Sequence, residues 1–373
     1  MDHHNDTGRI GRRHLLQAGA FASILPFGIA GARVFASPAR PLPPDFPLCH
    51  GGGDYTLAAD TVPPPPRVAA TGPAKKIRFT WNQTALCTSA VPVAVEAGIF
   101  EKHNLDVELV NFGGSTDQLL EAIGSGKADV GIGMILRWLK PLEQGFDVKL
   151  VAGVHGGCSY LVGSRRAGIT DIDSLRGKTI GVTDFASPDK NLYEIILQNH
   201  GLDPDEDVEW KQYPQELMSM AVDKGEIQAY VAGDPNVFYQ VKNSNGNLFR
   251  VASNATNEFA DRTCCVLGVR GGLLRDDPEA AIAVTRAVLE ASQLVHTNPA
   301  HAVEVAEHYA PRAAAPADLT EMLKSYPYGE QPIGADFQRQ VLLYANELKR
   351  AGVLKPGTDP QRYVNRITAN LLA

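Results

Sequence analysis

A chain of 373 residues, 44% of them hydrophobic, has enough apolar material for two domains of ordinary size with a sizeable core. Charged residues make up 21%, the formal net charge is −7 and no Lys/Arg-rich run occurs, which argues against a nucleic-acid surface. Five cysteines are too few for a disulfide-stapled scaffold, so hydrophobic burial must hold the fold and any bridge is an addition to it.

The first 36 residues have the layout of an export signal: Arg12-Arg13 precede a weakly apolar, Gly/Ala-rich run that ends in "VFA". The paired arginines point to the twin-arginine route. A membrane anchor is the alternative, but residues 15–32 include Gln17, Pro26 and several glycines and are too weakly apolar to span well. Cleavage after Ala36 would remove four Arg and two Asp, taking the charge from −7 to −9. A bacterial periplasm is the expected address.

Residues 37–75 are rich in Pro, Gly and Ala without helical or strand periodicity, and read as a semi-extended tether. Cys49-His50 lies within it, without the further ligands that a metal site needs. From residue 76 short β-rich runs alternate with helical ones: "KIRFTW", "SAVPVAVEAGIFEKH", "LDVELVNF", "STDQLLEAIGSG", "ADVGIG", "ILRWLKPLEQG", "VKLVAGV". The pattern restarts after Tyr160 with "KTIGVTD", "SPDKNLYEIILQNHG", "VEWKQY" and "IQAYVAG". Such alternation indicates βαβ units and predicts two α/β lobes. Beyond "CCVLGVRGG" the chain is helical to its end, and Asp277-Pro278-Glu279 is a helix start signal. The economical topology puts lobe I at 76–157 plus 266–373 and lobe II at 158–265, with the helical tail returning to cover lobe I.

Two stretches, "PVAVEAGIFEKHNLDVELVNFGGSTDQLLEAIGSGKADVGIG" and "ITDIDSLRGKTIGV", closely resemble the nitrate/sulfonate/taurine-binding group of ABC-transporter solute-binding proteins, which also includes pyrimidine-precursor binding proteins and synthases. The resemblance covers residues 76 to about 370. It implies a two-lobed, hinge-bending fold of the type II periplasmic-binding-protein kind, a ligand held between the lobes, permease and ATPase partners, a monomer and no cofactor. In the synthase branch a histidine in the helix after the third strand is consumed; here that helix reads "ILRWLKPLEQG", with Arg137 in its place and no histidine, which argues against synthase activity. No GxxxxGKS/T, HExxH or GxSxG motif supports other chemistry.

In open α/β sheets ligands collect beyond the carboxyl ends of the strands. That rule selects Trp81, Asn82, Gln83 and Thr84 after the first strand, with Cys87 a little further on. It also selects Gly114, Ser115 and Thr116 at a helix start suited to an anion, and Met134 after the third strand. In lobe II it selects Asp184, Ser187 and Asp234, although Ser187 equally suits a helix cap and Asp184 a solvated turn. The acidic residues fit a ligand with a cationic or NH-rich part, such as an aminosulfonate or a heterocyclic amine, and no arginine stands out for an anion.

The two crossings between lobes fall near "GVHGGCSYLVG" and "DRTCCVLGV" and should run close together. On strand alternation Cys265 aligns with Leu267 and Val269, toward core, and Cys264 with Val266 and Gly268, free to reach the cleft. Cys264 could bridge to Cys158, meet a ligand, or only pack. His155, Cys158, Cys87 and the tandem pair would otherwise converge as a site for a soft metal or thiophilic oxyanion.

Overall fold

The computed structural model describes residues 72–113, 116–310, 312 and 314–372. The export segment, Cys49, Gly114 and Ser115 lie outside the described residues. Among the described residues ten strands form two five-stranded sheets, within one compact unit. The first sheet holds β1 (Lys75–Trp81), β2 (Leu105–Asn111), β3 (Val130–Met134) and β4 (Val148–His155). The second holds β5 (Ser159–Ser164), β6 (Lys178–Val182), β7 (Val208–Gln212), β8 (Ala229–Gly233) and β9 (Leu248–Ser253); β10 (Cys265–Arg270) returns to the first.

The orders are β2-β1-β3-β10-β4 and β7-β6-β8-β5-β9. In each sheet three strands pair in parallel, and the fourth position is taken by a strand that has just crossed from the other lobe and runs antiparallel to both neighbours. This is the two-lobed α/β architecture expected from the alternation of strands and helices. The crossings are 156–158 and 254–264.

The segment "SAVPVAVEAGIFEKH" is two helices, not one. Gly98 sits at φ +64° between Ala90–Glu96 and Ile99–Lys102, a backbone position that favours glycine. The helix Pro188–Asn199 starts with Ser187 as cap, its Oγ accepting from the Lys190 amide. The helix Pro278–Thr297 is capped by Asp277, whose carboxylate accepts from the Ala280 amide. Its apolar face, with Ala280, Val284, Val288, Ala291 and Val295 all buried, packs on β4 and on the helix Ala90–Glu96. Each such valine stabilises the fold by about 1.5–3 kcal/mol. The helices Gly334–Arg350 and Pro360–Ile367 also pack on β4, so the tail covers lobe I. No described helix is long and apolar enough to cross a membrane.

Candidate functional site

The carboxyl ends of the strands in both sheets open on a cavity of about 360 Å³, lined among others by Asn82, Thr84, Gln215, Asp234, Tyr239 and Arg312. On the lobe I side, β1 ends at Trp81, buried edge-on against Tyr309 at 5.6 Å. Asn82 then closes an Asx turn: its Oδ1 accepts from the Thr84 amide (3.1 Å) and the Thr84 hydroxyl (2.8 Å). The Gln83 amide donates to Asn111, and Arg312 donates to the Gln83 and Thr84 carbonyls at 3.1 and 3.2 Å. On the lobe II side the Asp234 carboxylate, its side chain fully buried, accepts from the Phe238 amide and the Tyr326 hydroxyl and lies 3.5 Å from Arg250. Burial raises its pKa, against the opposing pull of Arg250.

Thr116 opens the helix Thr116–Gly124 and accepts from Arg137 Nη1 at 2.6 Å. Arg137 is the cation that strand-end reasoning passed over. It stands in the first turn of the helix Leu136–Glu143, just beyond β3, where the same rule should have found it. Burial pulls its pKa down, and Asp189 supplies most of the negative field that opposes this. Asp189, not Asp184 or Ser187, is the lobe II group in that field; it accepts from the Ser159 hydroxyl at 2.5 Å. Asp184 is exposed and accepts the Ala186 amide within its own turn, and Ser187 is engaged as a cap. Neither lines the cavity. Arg312, from a loop between helices more than 200 residues beyond Thr84, carries no local sequence signal.

Deeper, at the hinge, the structure gathers Cys87, His155, Cys158 and Cys265, whose donor atoms all lie within 4.8 Å of one another. Cys87 comes from the turn after β1, His155 from the end of β4, Cys158 from the outgoing crossing and Cys265 from the start of β10. Met134, buried at the end of β3, pairs in register with Cys265. Cys264 reaches Cys158 as strand alternation expects, but Cys265, expected only to face the core, joins the cluster as well. Cys264 lies beside Asn254, whose Nδ2 donates to its sulfur at 3.2 Å. The reason is that β10 begins at Cys265. A strand's first residue at the cleft end of a sheet can reach the hinge from either face. Cys158 and Cys264 are neighbours with sulfurs 3.9 Å apart, and all four described cysteines are free thiols, so the expected bridge is not formed here.

His155 is buried with its Nδ1 on the Gly156 carbonyl at 2.5 Å, its ring beside Tyr328 (5.0 Å) and Tyr326 (6.2 Å). Its Nε2 is buried with no hydrogen-bond partner among the described residues. Leaving such a group unsatisfied costs about 1–3 kcal/mol. Burial disfavours the imidazolium most, but Cys87, Cys264 and the Gly156 carbonyl together outweigh it and the His155 pKa is raised. Hydrogen bonds from Cys158 and Cys265 hold the Cys87 thiol well below its ordinary pKa. Tyr328 donates to the Cys87 carbonyl at 2.5 Å, tying the turn to the tail.

A model of the NMT1-like family matches residues 70–310. The chain belongs to the NMT1-like family. A curated relative of this NMT1-like chain is a 4-amino-5-hydroxymethyl-2-methylpyrimidine phosphate synthase of Candida albicans, 25% identical over 317 residues, spanning 80% of this chain and 88% of the relative. The NMT1-like fold is shared with the alkanesulfonate-binding protein SsuA of Xanthomonas axonopodis, bound to MOPS (TM-score 0.64, 17% identity, 80% of this chain and 99% of that one). It is also shared with the periplasmic nitrate-binding protein NrtA of Synechocystis (TM-score 0.64, 16% identity, 79% and 86%).

Proposed function

We propose that this protein is the solute-binding component of an ABC importer, working in the periplasm and handing its cargo to a membrane permease driven by an ATPase. The observation that carries the reading is the cavity between the strand ends of two sheets of like order, joined by only two crossings. A ligand that contacts both sheets stabilises the closed arrangement over the open one, and no bond need be made or broken. The solved structures of similar fold, named for alkanesulfonate and nitrate binding, support this reading. The Arg12-Arg13 signal layout supports export by the twin-arginine route.

The ligand class is a small solute with an anionic group and a cationic or NH-rich group, sulfonate-, taurine- or nitrate-like or pyrimidine-like. Arg137 and Thr116 suit the first group and Asp234 the second. Asn82 and Thr84 present the lobe I wall, with Gln83 between them in the turn and Trp81 fixing the strand end behind. Similarity to a synthase raises the enzyme reading, but Arg137 stands where the resemblance places the consumed histidine, so capture without chemistry is the reading adopted.

The test is a thermal-shift screen of refolded, ligand-stripped protein against taurine, alkanesulfonates, nitrate and hydroxymethylpyrimidines, with mass spectrometry of the recovered solute. One class should raise Tm by roughly 5 °C or more at a hundredfold excess over Kd and return unchanged. Conversion of the solute, or no shift with any class, would contradict the reading.

A further inference from the structure

We propose that Cys87, His155, Cys158 and Cys265 form a four-coordinate site for a thiophilic d¹⁰ cation, Zn²⁺ or Cu⁺, in the floor of the cleft between the two crossings. This goes beyond solute capture and does not rest on it, because the argument uses only the hinge and its donors.

The donor set is three sulfurs and one imidazole with no carboxylate, which suits Zn²⁺ or Cu⁺ and not Mg²⁺, Ca²⁺ or Mn²⁺. In a tetrahedral thiolate site with metal–sulfur bonds of about 2.3 Å, the sulfurs stand about 3.8 Å apart. The donors here, all within 4.8 Å of one another, need only side-chain adjustment to reach that spacing. His155 supplies the second, independent observation. Its Nδ1–H is held by the Gly156 carbonyl, which leaves the lone pair on Nε2, the atom that is buried without a partner. Fixing a ligand's tautomer through its other ring nitrogen is how proteins orient metal-binding histidines. If the thiols only filled space, that nitrogen would have no better partner than the weak S–H donor of Cys87.

Binding balances by proton release: whatever protons the three sulfurs and Nε2 carry go to solvent as three metal–sulfur bonds and one metal–nitrogen bond form. Three thiolates leave the loaded site at −1 with Zn²⁺ or −2 with Cu⁺, and half-buried Arg137, which makes no ion pair among the described residues, is the nearby cation whose charge Cys265 and Cys87 feel. Cys87 and Cys158 are half-buried and give the ion a way in, while His155 and Cys265 are buried behind them. Because the donors come from lobe I strands, from the outgoing crossing and from the residue that ends the return crossing, an occupant would tie the hinge strands together.

The experiment uses the mature chain, reduced and handled without oxygen. Co²⁺ is titrated as a spectroscopic probe and displaced with Zn²⁺, Cu⁺ is titrated against a chelator, and metal content is measured on the washed protein. One equivalent should bind, with thiolate-to-cobalt charge transfer and tetrahedral d–d bands. Cys265→Ser and Cys87→Ser should each weaken binding on the order of 100-fold or more, while Cys264→Ser leaves it within about threefold. Circular dichroism melts check that each variant folds, and the half-buried Cys87 keeps the test valid if Cys265→Ser does not. No stoichiometric metal with any of the three ions would overturn the proposal. So would loss of binding in Cys264→Ser to the same degree as in Cys265→Ser, or a Cys158–Cys264 disulfide that persists in metal-treated protein. Tight arsenite binding that survives His155→Ala while Zn²⁺ and Cu⁺ fail to bind would replace it with a three-thiol oxyanion site.

Discussion

At the mouth of the cleft, Asn82, Thr84, Gln215, Asp234 and Arg312 surround a polar cavity, while at its floor Cys87, His155, Cys158 and Cys265 pack sulfur and imidazole between the hinge strands. The mouth is made by turns and caps at strand ends, each satisfied locally, as Asn82 is by Thr84. The floor is made by segments far apart in sequence that meet only because the chain crosses twice. Asn254 joins the crossings there, accepting from the Ser159 amide at 2.9 Å and donating to Cys264. Changes at the floor should therefore cost stability, and changes at the mouth should cost solute affinity with little effect on folding.

The largest expected effect is at the return crossing. Arg262 reaches Glu347 at 2.7 Å, both side chains almost wholly buried, and its guanidinium lies over the rings of Phe259 and Tyr344. Arg262→Ala should destabilise by about 3–5 kcal/mol in chemical denaturation, because it leaves Glu347 buried without that partner. A loss under 1 kcal/mol would mean the crossing is not anchored there. Next is the outgoing crossing, where a Cβ on Gly157 would stand 2.3 Å from the Asn254 carbonyl carbon. Backbone cannot swing aside as a side chain does, so Gly157→Ala should cost about 2–3 kcal/mol and lower Tm, and an unchanged Tm would show the crossings to be looser than described.

Tyr328→Phe removes the hydrogen bond to the Cys87 carbonyl and should cost about 1 kcal/mol, read by the same denaturation. The smallest effect belongs to the mouth. Since the Asp234 pKa is raised in the folded state, the native protein binds more protons than the unfolded chain between the ordinary value of 3.8 and the raised one. Stability from this group is therefore present at low pH and falls as pH rises through that window. Measured as wild type minus variant, Asp234→Asn should remove that fall, staying neutral or slightly stabilising at pH 7 while weakening a cationic solute. A wild-type stability that rises through the window relative to the variant would contradict the assignment.

The mouth was more legible in the sequence than the floor, for a physical reason. Strand ends announce themselves locally, so "TWNQT" and "VAGDP" located Asn82, Thr84 and Asp234 at the cavity. The same rule overreached at "VTDFASPDK", where Ser187 proved to be a cap and Asp184 a turn residue, and it passed over Arg137. Convergence of the cysteines and His155 followed from topology. Which of the tandem pair takes part did not, because alternation describes the middle of a strand and Cys265 is its first residue. Arg312 was beyond reach, since its place against Thr84 is set by the path of the tail.

The most direct measurement of the central claim is small-angle X-ray scattering of ligand-stripped protein with and without a saturating solute identified in the thermal-shift screen. The account predicts a smaller radius of gyration in the bound state with the solute recovered unchanged, as the sheets close over the cavity. Saturated binding with an unaltered scattering curve, or a solute recovered as product, would contradict it.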